Sequence, residues 1–214
     1  MLKLVFACTM TTAFALAISS SVCAKSDSDP STHLKVAELR LQSAELDAYF
    51  PSPLFSDLTY DSSVPSEAAQ ALRTLGEAPL SKIQGVSHLD YMLRILWVSA
   101  FGHVTMIRVD GMGGKFTGGS LKKGRMRPVR SITLDRTIRL SPAIFQKIVD
   151  DASHSRIEIL DNEQSIISTD GVIIVIEQYS KGKHTAIYRE SSVGDPVVDF
   201  AFRVRMEIEA NAVE

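Results

Sequence analysis

A carboxylate, an imidazole and a guanidinium fall within one short stretch of this sequence, at Glu177, His184 and Arg189. Histidine can act as a base near neutral pH, so an envelope hydrolase with a dispersed site is one hypothesis for these residues. We expect Glu177 and Arg189 to approach each other across a β-hairpin as an ion pair. Pairs of this kind are typical of solvent-facing strands, so the sequence favours a structural polar cluster over a catalytic one.

The most asymmetric feature of the sequence is a basic tract at residues 115–139. It contains eight basic side chains and one acidic side chain, a net charge of +7, whereas residues 25–114 and 140–214 together carry −10. The sequence favours a solvated strand face with two exposed loops for this tract. Because charged surfaces attract partners of opposite sign, the functional hypothesis is a site for an anionic envelope component, such as lipid head-groups, or for an acidic protein. The predicted contact residues are Lys115, Lys122, Lys123, Arg125, Arg127 and Arg130. Nucleic acid is not predicted, since Phe116 is the one aromatic residue of the tract.

Three kinds of reactive site leave signatures that this sequence lacks. The glycine-rich run Gly111–Gly119 departs from a phosphate-binding P-loop at Val109 and Phe116. The histidines are scattered singly, without the spacing of a metal site. The run Gly85–Leu89 begins like a nucleophile elbow, with Ser87 at the nucleophile position, but it ends in leucine instead of glycine. We therefore predict no catalytic residue, no metal and no cofactor, and we interpret the glycine run as a flexible connection between strands.

Two β-hairpins and one further strand are predicted to carry the candidate residues. Runs of β-branched and aromatic residues, joined by short glycine-containing turns, indicate the strands. They are Tyr91–Phe101 with His103–Asp110, Val172–Tyr179 with His184–Glu190, and Val129–Leu140. Arg136 falls on the apolar face of the last strand, which indicates that this face is interrupted or lies at a sheet edge. Leu96, Trp97 and Phe101 are predicted to lie in the core.

Helices are predicted before and after these strands. Helical spacing occurs in 32–50 and in 66–75, the latter with Ser66 as N-cap and Gly76 at its end. Ser141 followed by proline opens a third helix, which ends near Ala152. In the C-terminal segment 197–209 a helical spacing and a strict alternation both fit. The Asp-Pro start at residues 195–196 favours a helix there.

Taken together, these elements predict an α+β fold. Its antiparallel sheet consists of the two hairpins plus one or more further strands, packed by helices and preceded by an N-terminal helical region. We divide the chain into a leader at 1–24, a polar N-terminus and helical region at 25–80, and an α+β domain at 81–214.

The leader has the features of a secretory signal peptide. Lys3 precedes the apolar run Leu4–Ile18, and small residues at Val22 and Ala24 indicate a cleavage site. The run is 15 residues long, shorter than the roughly 20 that span a bilayer, so a membrane anchor is less favoured. Lipidation at Cys23 is less favoured still, since a large aliphatic residue is expected three positions before a lipidated cysteine and Ser20 stands there. We predict a periplasmic or secreted protein, cleaved near Ala24 and without a transmembrane span.

Several short patterns occur in the same order as in an uncharacterised group of exported bacterial proteins, which this chain resembles over roughly 125 residues. The matching residues are Leu96-Trp97, Phe101, His103, Arg108-Val109, Asp110–Gly114, Gly118, Leu140-Ser141, Asp170-Gly171, Glu177, Gly182, Arg189 and Ser191. The chain departs from the group at Ile174, where a tryptophan is usual, and at His184-Thr185, where a Tyr-His pair is usual. The resemblance implies an α+β domain with a helical tail and implies no reaction.

The sequence favours a non-catalytic binding or interaction protein of the cell envelope. Two alternatives stay open. One is the envelope hydrolase built on the polar hairpin cluster, and the other is an immunity or inhibitor protein for an exported toxin.

Overall fold

In the part of the chain that the structure describes, the order of the main elements is helix, four strands, helix, two strands and helix. The computed structural model describes residues 49–50, 63–80, 82–83, 89–127, 130–155, 171–190 and 194–211. All of these belong to one compact unit, Glu38–Glu214. The predicted leader, the polar segment behind it and the helix at 32–50, apart from its last two residues, lie outside the described part of the chain.

The described helices are α1 (Ser63–Thr74), α2 (Pro142–His154) and α3 (Pro196–Asn211). The strands are β1 (Tyr91–Ser99), β2 (His103–Met112), β3 (Lys115–Arg125), β4 (Ser131–Thr137), β5 (Val172–Ser180) and β6 (Lys183–Glu190). They form one open sheet in the order β4-β3-β2-β1-β5-β6, and every neighbouring pair is antiparallel. The predicted α+β class and both predicted hairpins are confirmed.

The two faces of the sheet are covered by different helices. In β1, Leu93, Ile95 and Trp97 face α2 and α3, while the alternate residues Leu96 and Val98 face α1. All of these side chains are buried because successive residues of a strand point to opposite faces and both faces are covered. We call the two sides the α2–α3 face and the α1 face.

Local capping chemistry sets the helix ends. Ser141 accepts a hydrogen bond from the Ile144 N–H at 3.3 Å, as its predicted capping role requires. Asp195 Oδ1 accepts from the N–H groups of Val197 and Val198 at 2.7 and 3.1 Å, so the C-terminal segment is a helix and not a strand. The buried side chains of α3 then recur at helical spacing, at Phe200, Val204 and Ile208.

Helix α1 ends in a Schellman motif. Gly76, at a φ of +67°, donates to the Arg73 carbonyl, and Glu77 donates to the Leu72 carbonyl. Gly76 was predicted at this position, whereas the prediction of Ser66 as N-cap is wrong, because the helix begins at Ser63. The first-turn N–H groups of a helix need no helical partner, which allows proline at position 65.

The prediction of a flexible glycine-rich connection at 111–119 is wrong. Only Gly113 and Gly114 form a turn, and strand β3 begins at Lys115. A Cβ on Gly119 would lie 2.7 Å from the Arg108 carbonyl oxygen, and one on Gly111 would lie 2.5 Å from the Phe145 ring. These glycines allow the backbone to pack closely against a neighbouring strand and against the Phe145 ring. The amino-acid composition of the run does not show whether its glycines provide close packing or flexibility.

Strand β4 forms one edge of the sheet, as the position of Arg136 indicated. No helix among the described residues is both long enough and apolar enough to cross a membrane.

Candidate functional site

The predicted polar hairpin cluster divides between the two sheet faces. Glu177 Oε1 and His184 Nε2 lie 2.8 Å apart on the α1 face. In the β5–β6 register, however, Glu177 pairs with Ala186 and Arg189 pairs with Ile174, so Arg189 points to the α2–α3 face. There its Nε lies 3.2 Å from Asp195 Oδ2, at the start of α3. The predicted approach of Glu177 to Arg189 is therefore wrong.

Glu177 is buried and does not face solvent as the sequence suggested, because α1 and the segment after it cover this face. Only 1% of Glu177 is exposed, and its carboxylate forms an ion pair with Arg94 of β1, which is equally buried. Burial alone would raise the pKa of Glu177, but the Arg94 guanidinium and the His184 hydrogen bond outweigh burial and hold that pKa below its ordinary value. Glu177 therefore remains a carboxylate held between two donors.

A second set of ionic contacts lies beside this pair. Glu77, placed by the Schellman motif, accepts from Arg108 Nη1 at 2.6 Å and from Lys122 Nζ at 2.9 Å. Lys122 also donates to the Leu75 carbonyl at 3.1 Å, and Arg108 Nε lies 3.1 Å from Asp110. We call this set, together with Arg94, Glu177 and His184, the buried ionic network.

Asp110 lies at the edge of the buried ionic network. Burial raises the pKa of its carboxyl group, and Arg108 offsets part of that increase. Its Oδ1 atom and the Ser120 hydroxyl are buried and have no hydrogen-bond partner among the described residues. The other two carboxylates of the network, those of Glu77 and Glu177, each form ion pairs with basic side chains of the sheet. The network therefore connects the end of α1 to the sheet, and these carboxylates are already occupied by internal partners.

The predicted anion-binding residues do not form one surface. Lys122 belongs to the buried ionic network, and Lys123 Nζ pairs with Glu209 of α3 at 3.0 Å, on the other face. Lys115 and Arg125 stand at opposite ends of β3, about 33 Å apart at the usual rise of a strand. Arg125, Arg127 and Arg130 remain together at one end of the sheet.

Backbone contacts shape this end of the sheet. The turn between β1 and β2 closes through Gly102 N–H to the Ser99 carbonyl at 2.8 Å, and Met126 N–H donates to the Gly102 carbonyl at 2.8 Å. Gly102 has a φ of +77°, and a Cβ on it would lie 3.1 Å from Arg127. Because Gly102 has no side chain, the segment that follows β3 can pack directly against the turn.

Phe101 lies on that turn and is 71% exposed. It was predicted to be a core residue with Leu96 and Trp97, and only those two are buried. Phe101 lies beyond the last residue of β1, so the alternation that buries the strand does not extend to it. The turn glycine directly after it, Gly102, was the available signal that the buried strand ends before Phe101.

We call Phe101, Arg125, Arg127 and Arg130 the basic sheet end. All three arginines are exposed. The Arg125 guanidinium donates to a ring nitrogen of His103 at 3.2 Å, and Arg127 lies 3.8 Å from Glu67 of α1. A guanidinium can bind a phosphate through two parallel hydrogen bonds, and an exposed phenyl ring adds apolar area.

A cavity of about 200 Å³ opens beside the basic sheet end, between the start of α1 and the sheet. Its lining includes the apolar side chains of Val98, Met126 and Ile173 and the charged side chains of Glu67 and Arg127. A second cavity of about 300 Å³ lies between α2 and α3. Neither cavity is lined by Glu177, His184 or Arg189.

In the described part of the chain, no three His, Cys, Asp or Glu side chains come together as a metal site would require. No protein-family model matches the chain, and no curated protein matches it.

Proposed function

We propose that this protein is a non-catalytic binding protein of the cell envelope, and that it attaches to an anionic membrane surface through the basic sheet end. One observation carries the proposal. Phe101 is 71% exposed on a tight turn at the same end of the sheet as three exposed arginines, which are Arg125 at the end of β3 and Arg127 and Arg130 in the chain that follows it. A cationic rim around an exposed aromatic ring is suited to the boundary between lipid head-groups and acyl chains.

The energies favour a reversible attachment. Each arginine near an anionic membrane contributes about 1 kcal/mol, and transfer of a phenylalanine side chain out of water contributes about 1.5–3 kcal/mol. The contact of Arg127 with Glu67 reduces the contribution of that residue. The sum corresponds to weak binding that falls with added salt, because the electrostatic part is screened.

Charge asymmetry supports one orientation on the membrane. Residues 25–114 and 140–214 carry a net charge of −10, whereas the basic sheet end carries three exposed arginines. An anionic surface repels the acidic part of the molecule and attracts the basic part, so the basic sheet end approaches first. The predicted signal peptide supports a location where such a surface is accessible.

Vesicle flotation with matched charge reversals tests the proposal. In the test variant Arg125, Arg127 and Arg130 are changed to Glu. In the control Lys115, Arg139 and Lys181 are changed to Glu, which alters the net charge equally at exposed sites elsewhere. We expect phosphatidylglycerol vesicles to bind the wild type and the control, and to bind the test variant at least tenfold more weakly. Equal binding by the two variants would contradict the proposal. Binding of the wild type to acidic proteins but not to vesicles would also contradict membrane attachment and would assign the basic sheet end to an acidic protein partner.

The hydrolase alternative has less support. Its three residues are divided between two sheet faces, and Glu177 is already bonded to Arg94 and His184. No described feature favours the immunity-protein alternative.

A further inference from the structure

We infer that the exposed side of α3 is the interface of a symmetric homodimer, in which α3 of a second copy packs antiparallel against it around Met206. An exposed apolar stripe is the first observation. Met206 is 66% exposed and Phe202, one turn earlier, is 40% exposed, while the opposite side of the helix is buried in the core. Ala210, one turn after Met206, is also exposed. Residues four apart share a helix face, so these three side chains form one stripe.

The charges of α3 are arranged with opposite signs on the two sides of Met206. Two basic residues, Arg203 and Arg205, precede it, and two acidic residues, Glu207 and Glu209, follow it at the same spacings. A two-fold axis at Met206 brings residues equally far before and after it to the same level of an antiparallel helix pair. Arg203 of each copy then lies level with Glu209 of the other, and Arg205 with Glu207. Two-fold interfaces require such a self-complementary patch, and a parallel pair would instead place like charges level.

The internal ion pairs of α3 leave capacity for these contacts. Arg203 has a side chain that is 51% exposed, and its Nε lies 3.9 Å from Asp151 Oδ2, beyond hydrogen-bond distance. Glu209 is 37% exposed and accepts from Lys123 and Arg205 through Oε1. A carboxylate has about four lone-pair sites, so a further donor can bind Glu209 without displacing either partner.

The cavity between α2 and α3 has room for the exposed ring. Its volume is about 300 Å³, and its apolar lining comes from Ile148, Val204, Met206 and Ala210. The charged residues of the lining pair with each other between the two helices. The antiparallel arrangement brings Phe202 of the second copy level with Ala210, whose small side chain leaves space beside it. An apolar cavity of about 150 Å³ holds a benzene molecule, so this cavity can accept a phenyl ring from each partner.

Sedimentation velocity of the purified chain over a range of concentrations tests the inference. Met206→Glu places two carboxylates against each other at the axis, and we expect it to weaken dimerisation at least tenfold. Met112→Glu is the matched control, since Met112 is 51% exposed at the end of β2 and should leave dimerisation unchanged. Thermal denaturation checks that both variants fold. A wild type that stays monomeric up to about 1 mM, with or without another protein bound to α3, would overturn the inference. Equal dimerisation by the two variants would overturn it too.

A charge exchange tests the antiparallel arrangement. Arg203→Glu and Glu209→Arg should each weaken dimerisation, and the double variant should dimerise more strongly than either single variant. The two residues are six apart on one helix, where only residues three or four apart are neighbours, so the recovery reports a contact between copies. A double variant no stronger than the single variants would overturn the inference.

Disulfide formation locates the axis. In a chain with Cys8 and Cys23 changed to Ser, Met206→Cys should form a covalent dimer under mild oxidation, and Met112→Cys should not. Helices packed about 8–10 Å apart bring facing Cα atoms at the axis within the roughly 4.4–6.8 Å that a disulfide spans. Equal cross-linking at the two positions would overturn the inference. The basic sheet end shares no residue with this face, so membrane attachment and dimerisation can fail separately.

Discussion

Arg94 and Glu177 lie directly opposite each other on β1 and β5, and both side chains are almost completely enclosed. Arg94 also donates to the Ala78 carbonyl at 2.8 Å, so the same guanidinium connects the sheet to the segment after α1. Removal of one partner of a buried ion pair leaves an uncompensated charge in the interior. The pair therefore makes the α1 face sensitive to single substitutions.

Glu177→Gln should lower the free energy of unfolding by about 3–5 kcal/mol, because Arg94 then stays buried without a counter-charge. Chemical denaturation measures the change. Glu207→Gln is the matched control, since Glu207 pairs with Lys147 at the surface and its loss should cost far less. A cost for Glu177→Gln as small as that of the control would show that the buried pair does not hold the face together.

The cost of Glu177→Gln should depend on pH. The pKa of Glu177 is lowered in the folded protein by Arg94 and His184, which together exceed the opposing effect of burial. A lowered carboxyl pKa contributes stability that is fully present above the unfolded-state pKa, about 4.3, and is lost as pH falls through the folded-state pKa. The difference in unfolding free energy between wild type and variant should therefore be largest near pH 7 and shrink below about pH 4. A difference that stays constant down to pH 3 would exclude this linkage.

Two adjacent glycines of β3 give a matched test of close packing. A Cβ on Gly118 meets nothing nearer than 3.8 Å, whereas one on Gly119 would lie 2.7 Å from a backbone carbonyl that cannot move alone. Gly118→Ala should be close to neutral, and Gly119→Ala should cost about 1–3 kcal/mol. Chemical denaturation of the two variants measures this difference, and the midpoint of Gly119→Ala should be the lower one. Equal midpoints would mean that this part of β3 is loosely packed.

The sequence predicted the elements better than it predicted the site. Alternation, caps and turn glycines are local signals, and they correctly indicated both hairpins, β4, α2 and the helical tail. The site depends on which face each side chain occupies. Glu177 and Arg189 were assigned to one cluster because the sequence of the turn does not fix the pairing of the two strands to within one residue. A shift of one residue moves a side chain to the opposite face of the sheet.

The sequence also did not predict which charged side chains are buried or how far apart the basic residues lie on the sheet. Lys122 was grouped with the anion-binding residues, yet it contacts Glu77, which is 45 positions earlier and is aimed at the sheet by the end of α1. Contacts between residues so distant in the chain leave no mark in local composition. Phe101 was missed for a simpler reason, since apolar residues are usually buried and only its position past the strand end exposes it.

Asp195 should be more important than an ordinary helix cap. Loss of a capping side chain usually costs about 0.5–2 kcal/mol, which we expect for Ser141→Ala. Asp195→Ala removes two capping hydrogen bonds and also the carboxylate that faces Arg189, which is 5% exposed. The loss of unfolding free energy in Asp195→Ala, measured by thermal or chemical denaturation, should exceed the loss in Ser141→Ala. The loss in Asp195→Asn should lie between those two values. Similar costs for Asp195→Ala and Ser141→Ala would mean that the ion pair with Arg189 contributes nothing.

Fluorescence of a tryptophan placed at residue 101 measures the central claim most directly. Phe101→Trp puts the reporter on the basic sheet end, and Met112→Trp puts it at the far end of β2, about 30 Å away, on a residue that is also exposed. The native Trp97 is buried and contributes equally to both variants. The predicted leader is apolar, but its contribution to vesicle binding is shared by both proteins.

With phosphatidylglycerol vesicles we predict a blue shift of the emission of Phe101→Trp, none for Met112→Trp, and reversal of the shift as salt is raised towards 1 M. An unshifted spectrum for Phe101→Trp, or an equal shift for both variants, would contradict attachment through the basic sheet end.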